Sequence, residues 1–156
     1  MSLGGGIIGS VPLGNARALV SVTNDGAELN ELVAEVMDGK VEGSGNIAFS
    51  TRTRSNINAD FTGLELSKLI AMQAGRVFPF EGKTDGRADL SFDGTDLSTT
   101  NGTIRADIAA NAGNDDGGRV PVNGNVELVA DNGLFSVNKA LLRTERSELT
   151  ASGRFD

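Results

Sequence analysis

Hydrophobic side chains recur at every second position along most of this 156-residue chain, and that spacing restricts the fold more than any other feature. Successive side chains of an extended strand point to opposite faces, so a period of two marks strands with one dry face and one wet face. Ala16, Ala18, Val20 and Val22 alternate with Asn15, Arg17, Leu19 and Ser21 up to the turn sequence Asn24-Asp25-Gly26. Val41, Gly43, Gly45, Ile47 and Phe49 share one face, and after the polar run 51–55 Ile57, Ala59 and Phe61 take it up again, as in a hairpin. Ala88, Leu90 and Phe92 precede Asp93-Gly94, and Ile104, Ala106, Ile108 and Ala110 precede the turn-rich run 111–118. Val120, Val122, Val126, Leu128 and Ala130 lead to Asp131-Asn132-Gly133, after which Phe135, Val137, Leu149, Ala151 and Phe155 complete the series.

The expected fold is therefore all-β: an elongated, mostly antiparallel curled sheet, groove-like or two-layered, of about eight or more strands with one short helix. The helix is expected over 65–74, where Leu66, Leu69 and Ile70 fall at helical spacing ahead of Gly75. Residues 27–37 fit either period, and the alternation of Leu32, Ala34 and Val36 favours a strand. Residues 15–156 are expected to form a single β-repeat domain, a fragment of a longer protein. Residues 1–14 read as a disordered linker, with Met1 to Leu3 a cloning remnant. A short motif also repeats: Val41-Glu42-Gly43-Ser44-Gly45-Asn46-Ile47 reads like Leu149-Thr150-Ala151-Ser152-Gly153-Arg154-Phe155, with Val122-Asn123-Gly124-Asn125-Val126 a shorter relative. Glycine inside a strand weakens it, so its recurrence predicts a bend or another backbone close by.

Composition removes whole classes of function. With 21 acidic against 14 basic residues, a net charge of −7 and no basic cluster, the chain is not built for nucleic acid or an anionic membrane surface. No histidine, cysteine, tryptophan or tyrosine is present, which rules out serine and cysteine triads, thiolate or imidazole metal sites and disulfides. Catalysis would have to rest on carboxylates, Lys or Ser. Asp93-Gly94-Thr95-Asp96 and Asp115-Asp116-Gly117-Gly118 invite a calcium reading, yet neither has spaced ligands, and turns between strands account for both. The glycine-rich stretch from Gly4 to Gly9 resembles a phosphate loop only in composition, since it follows no strand and opens no helix. Nothing asks for a cofactor or a metal, and the expectation is a protein that is not an enzyme.

From Arg76 onward the succession carries a resemblance. Gly82-Lys83-Thr84-Asp85-Gly86-Arg87-Ala88-Asp89-Leu90-Ser91-Phe92 is followed by Asn101-Gly102-Thr103-Ile104-Arg105-Ala106-Asp107-Ile108, then by Val120 to Leu128 and a closing Leu141 to Phe155; Met37 to Ile47 fits the same scheme. This resembles the repeat region of TamB-like proteins, of the AsmA and DUF490 group, in which short strands of alternating apolar residues end in a glycine step. The resemblance implies a long periplasmic protein anchored in the inner membrane by one helix, whose repeats fold into an elongated groove. It further implies outer-membrane biogenesis, as lipid transport or as a translocation and assembly module. The partners so implied are phospholipid acyl chains or nascent outer-membrane β strands, and an outer-membrane barrel engaged through the full-length protein.

Read from the residues, the dry face is either a closed core or an open trough. If a trough, its expected lining comprises Ile47, Phe49, Ile57, Phe61, Leu90, Phe92, Ile104, Ile108, Val126 and Leu128. The rival is a structural β-solenoid or sandwich segment of a surface adhesin. Unpaired strand edges would also allow edge-to-edge homodimers.

Overall fold

A computed structural model describes residues 2–3, 6–8, 11–69, 79–110 and 120–154, with side chains from residue 14 to residue 153. The chain is all-β. Ser2–Leu3 (β1), Gly6–Ile8 (β2), Val11–Val22 (β3), Gly26–Val36 (β4), Gly39–Ala48 (β5), Arg54–Glu65 (β6), Phe80–Glu81 (β7), Lys83–Asp93 (β8), Asp96–Ala109 (β9), Val120–Pro121 (β10), Asn123–Asp131 (β11), Leu134–Arg143 (β12) and Glu148–Arg154 (β13) follow one another. Nine of them form a single antiparallel meander in the order β3-β4-β5-β6-β8-β9-β11-β12-β13, and it does not close into a barrel. Neighbours in sequence are neighbours in space, the arrangement that short connections favour.

The two-residue β1 and three-residue β2 pair with β3 through Leu3↔Ala16 and Ile8↔Val11. The segment expected to be linker thus lies along the sheet edge wherever it is described, and β3 begins at Val11 rather than after residue 14. Residues 66–69 form one helical turn, and the rest of the expected helix falls outside the described residues. The run 111–118 lies outside them too. Strand β4 covers the ambiguous stretch 27–37 almost entirely.

Two hairpins turn on two residues with positive φ, Met37-Asp38 (49° and 62°) and Asn132-Gly133 (49° and 77°). This geometry matches the twist of the strands it joins. Ion-pair and hydrogen-bond partners hold the less obliging first pair. The Met37 carbonyl accepts from Glu65 N at 3.2 Å, and Asp38 pairs with Lys68.

The most buried apolar cluster is small. Leu66 of the helical turn, Ile108 of β9 and Val122 beside β10 meet, with Phe80, Val126 and Leu142 packed against them. Parallel pairing of β7 with β10 through Phe80↔Val120 holds this cap together. It closes one end of the sheet's apolar face. Among the described residues, no helix is long and apolar enough to cross a membrane.

Candidate functional site

Register carries the alternation of each strand into rows that cross the whole sheet. One row runs Val41, Phe61, Gly86, Ala106, Val126, Ala140, Ala151. The next runs Leu32, Gly43, Ala59, Ala88, Ile104, Leu128, Val137, Gly153, and a third runs Val20, Leu29, Gly45, Ile57, Leu90, Gly102, Ala130, Phe135. Directly opposed residues of an antiparallel pair share a face, so these rows form one continuous apolar surface.

Of the residues expected to line it, Ile57, Phe61, Leu90, Ile104, Val126 and Leu128 fall in these rows, and all six are half-buried. Phe92 and Ile108 share the face but are buried, Ile108 beneath the cap. Ile47, opposite Ala27, is half-buried. Phe49 departs from the expectation. Strand β5 stops at Ala48, whose N–H is taken by the Ser55 hydroxyl at 2.9 Å, and Phe49 N bonds Asp25 O at 2.9 Å. That bond keeps the register with β4 one residue further, but pairing with β6 has ended at Asn46↔Asn56, and Phe49 stands on the rim, half exposed.

The face is least covered at the two sides of the sheet. Val20 and Val22 on β3, Phe135 on β12 and Leu149 on β13 are exposed, Val22 by 68% and Leu149 by 59%. Among the described residues, the only strands off the main sheet are the two-residue β7 and β10, whose pairing caps one end of the face.

The opposite face is wet and charged. Its central row reads Glu42, Asp60, Arg87, Arg105, Glu127, Lys139. Arg87 reaches Asp89 at 3.2 Å and Asp60 at 3.7 Å, and Arg105 reaches Glu127 at 3.5 Å. The hydrogen bond from Arg87 to Asp89, then the charges of Asp89 and Asp60, hold the guanidinium further above its ordinary pKa. Like charges opposed at Arg87 and Arg105 would repel, and each is offset by its own acid.

Among the described residues, the acidic turn 93–96 holds no metal constellation. Asp96 accepts from Ser98 Oγ at 2.6 Å and Ser98 N at 3.0 Å, bonds that hold its carboxyl below the usual range, while Asp93 pairs with Arg54 at 3.7 Å. The Asp96 carboxylate is engaged within its own turn and that of Asp93 across to β6. Asp115 and Asp116 lie outside the described residues. Among those described, no three acids gather to hold an ion. A shallow depression of about 300 Å³ is lined by the turn Thr23–Gly26 and by Glu28, Asn46 and Ile47.

Sequence reasoning passed over three polar residues of the dry side. Ser55, Thr84 and Thr100 are buried. Thr84 and Thr100 stand level with Ile108 and Phe92 by register or parity, so period counting from Ala88 and Ile104 would have placed them inward. Comparison with family models, with curated proteins and with solved structures gives no match.

Proposed function

We propose that this chain is a non-catalytic stretch of groove that shields apolar cargo, the acyl chains of phospholipids in the first place, as they cross the periplasm toward the outer membrane. In this reading it belongs to a longer TamB-like protein anchored in the inner membrane, and nascent outer-membrane β strands are the other cargo its face would suit. One observation carries the proposal: a row-ordered apolar surface spans nine strands, yet its central residues stay half-buried, the only strands off it among the described residues being the two-residue β7 and β10. A sheet that existed only to be a scaffold would bury such a face, since exposed apolar area is costly and marks a binding surface.

Each cargo methylene moved from water onto this face contributes about 0.8 kcal/mol. Carrying it needs shape and dryness rather than a reactive group, which suits a chain without histidine or cysteine. The net charge of −7 keeps the segment off anionic bilayer surfaces between loadings.

Mass spectrometry of lipid extracted from the chain purified out of a bacterial envelope tests the proposal. Phospholipid is expected in excess of a control preparation. Leu90→Asp combined with Ile104→Asp should remove it, whereas Arg87→Gln on the wet face should not. A folded chain with no lipid and no uptake of a hydrophobic dye would instead be a structural segment of the adhesin kind.

A further inference from the structure

Of the polar side chains buried on the dry side, Ser55 and Thr100 are hydrogen-bonded. Ser55 Oγ serves Ala48 N and the Gly94 carbonyl, and Thr100 Oγ1 donates to the Leu97 carbonyl at 2.6 Å. Thr84, 3% exposed, has no partner for its hydroxyl among the described residues. A buried hydroxyl left unpaired costs free energy, so one that persists within a sheet asks for an acceptor that the sheet itself does not supply.

The surroundings of Thr84 restrict what can reach it. It is the second residue of β8, level with Leu64 on β6 and Ile108 on β9. Two residues before it stands Gly82 and two residues after it Gly86. Different side chains fill the space beside these two glycines. At Gly82 a Cβ would stand 3.1 Å from Ile108 Cγ2, which belongs to the packed cap; at Gly86 it would run into the Phe61 ring. Phe61 is half-buried and lies in the open middle of the face, as do the small Ala88 and Ala106 beyond it. The approach over Gly82 is thus closed by the cap, whereas the approach over Gly86 is closed by one ring, which can leave by a change of rotamer without movement of the backbone.

We propose, resting on the cargo reading above, that Thr84 selects for an acyl ester. Its hydroxyl donates to the ester carbonyl of a phospholipid whose tail lies over Gly86, Ala88 and Ala106 in place of the Phe61 ring. Strand β8 begins at Lys83, so a carbonyl bonded to Thr84 sits one residue from the end of the strand, with the tail on the apolar rows and the headgroup toward the rim. One buried donor matches a ligand that carries its acceptor at the head of a long apolar body. An extended peptide fits less well, because it brings a backbone N–H with each carbonyl, and the side chains of Leu64, Phe61 and Ile108 offer those groups no acceptor. Empty, the face carries an unmet hydroxyl; loaded, it gains a specificity contact, since a site that hydrogen-bonds its ligand rejects the analogue lacking that atom.

Vesicles holding equal amounts of a diester phosphatidylethanolamine and its diether counterpart of the same chain length, which lacks both carbonyls, supply the test. The whole chain is incubated with them and separated, and the lipid it holds is extracted and quantified by mass spectrometry. The parent is expected to hold the diester in at least about fivefold excess over the diether. Thr84→Val, which keeps the shape and loses the hydroxyl, should bring the two lipids level with diether uptake unchanged. Thr84→Ser, which keeps the hydroxyl, should restore the excess. Equal uptake of both lipids by the parent, or a preference that survives in Thr84→Val, would overturn the inference and leave the cargo reading standing. Uptake of neither lipid, whether or not an extended apolar peptide binds in their place, would overturn the lipid reading and the inference together.

Discussion

The hydroxyl of Ser55 is fully buried and is used twice: it accepts from Ala48 N at 2.9 Å and donates to the Gly94 carbonyl. One atom thereby ties the end of β5 and the start of β6 to the turn between β8 and β9. Ser55→Ala would leave a buried N–H and a carbonyl without partners and should destabilise the chain by about 1 to 3 kcal/mol. Thr84, 3% exposed on the same dry side, presents the opposite case, because its hydroxyl has no partner. Thr84→Val keeps the shape and removes an unmet polar group, so it should be neutral or stabilising by up to about 1 kcal/mol. Denaturant midpoints of the two variants, measured side by side, should move in opposite directions or, for Thr84, not move; a Thr84→Val protein clearly weaker than its parent would mean that the hydroxyl is bonded. That both side chains point inward is readable from the sequence by counting in twos from Ile57 and from Ala88. Which of them is satisfied is not readable, because the Gly94 carbonyl lies 39 positions from Ser55 and is brought to it only by the folding of the sheet. Phe49 shows the same limit, since parity continues past Ala48 in the sequence while pairing with β6 does not.

At the scale of elements, the departures from strict alternation are bulges. Register slips between Leu29 and Leu32 in β4, between Phe61 and Leu64 in β6, and between Val137 and Ala140 in β12. Each inserts a step of three between inward residues, and a step of three is what helical periodicity looks like. That is why 27–37 fitted both patterns: the extra residue of a bulge mimics a helix turn locally while the strand goes on. At Gly63, φ of 69° and a bond from its N–H to Asp85 Oδ1 at 2.6 Å fix the bulge in β6. The cap was legible only in part, because β7 and β10 are two residues each and their pairing is set by distant chain. Lys68 of the helical turn bonds Asp38 in the β4–β5 turn and lies 3.2 Å from Glu65. The hydrogen bond from Lys68, then its charge, holds the Asp38 carboxyl below its ordinary 3.8; hydrogen bonds to Asp38 and Glu65 hold Lys68 above its ordinary 10.5. A lowered acid contributes stability above its unfolded pKa and loses it as pH falls through the folded one, whereas a raised base contributes below its unfolded pKa and loses it as pH rises through the folded one. The tether should therefore act in full between about pH 4 and about pH 10.5 and fade as pH moves beyond that window on either side. Both groups face solvent, so the effect is small. Thermal midpoints of Asp38→Asn and the parent should differ inside the window and draw together as pH falls below it or rises above it. A gap that does not shrink as pH falls through the acid range would assign the effect to something other than the ion pair.

For the whole molecule, every long strand bonds only its neighbours in sequence, so the sheet is in effect a one-dimensional array with a middle and two ends. Alternation and turn residues were enough to read this meander, because each pairing is local; they could not say whether its dry face would fold onto itself or stay open, since that depends on curl accumulated over nine strands. In such an array stability is a sum of units and their interfaces rather than one all-or-none core. Strands β6, β8 and β9 have partners on both sides, and Phe92 and Ile108 are buried there. At the flanks, Val22 on β3 and Leu149 on β13 are more than half exposed. Amide hydrogen exchange should accordingly be slowest in β6, β8 and β9 and faster toward both sides. Equal protection in β13 and β8 would mean that the sheet opens as a single cooperative unit, and the description of a linear array would have to be given up.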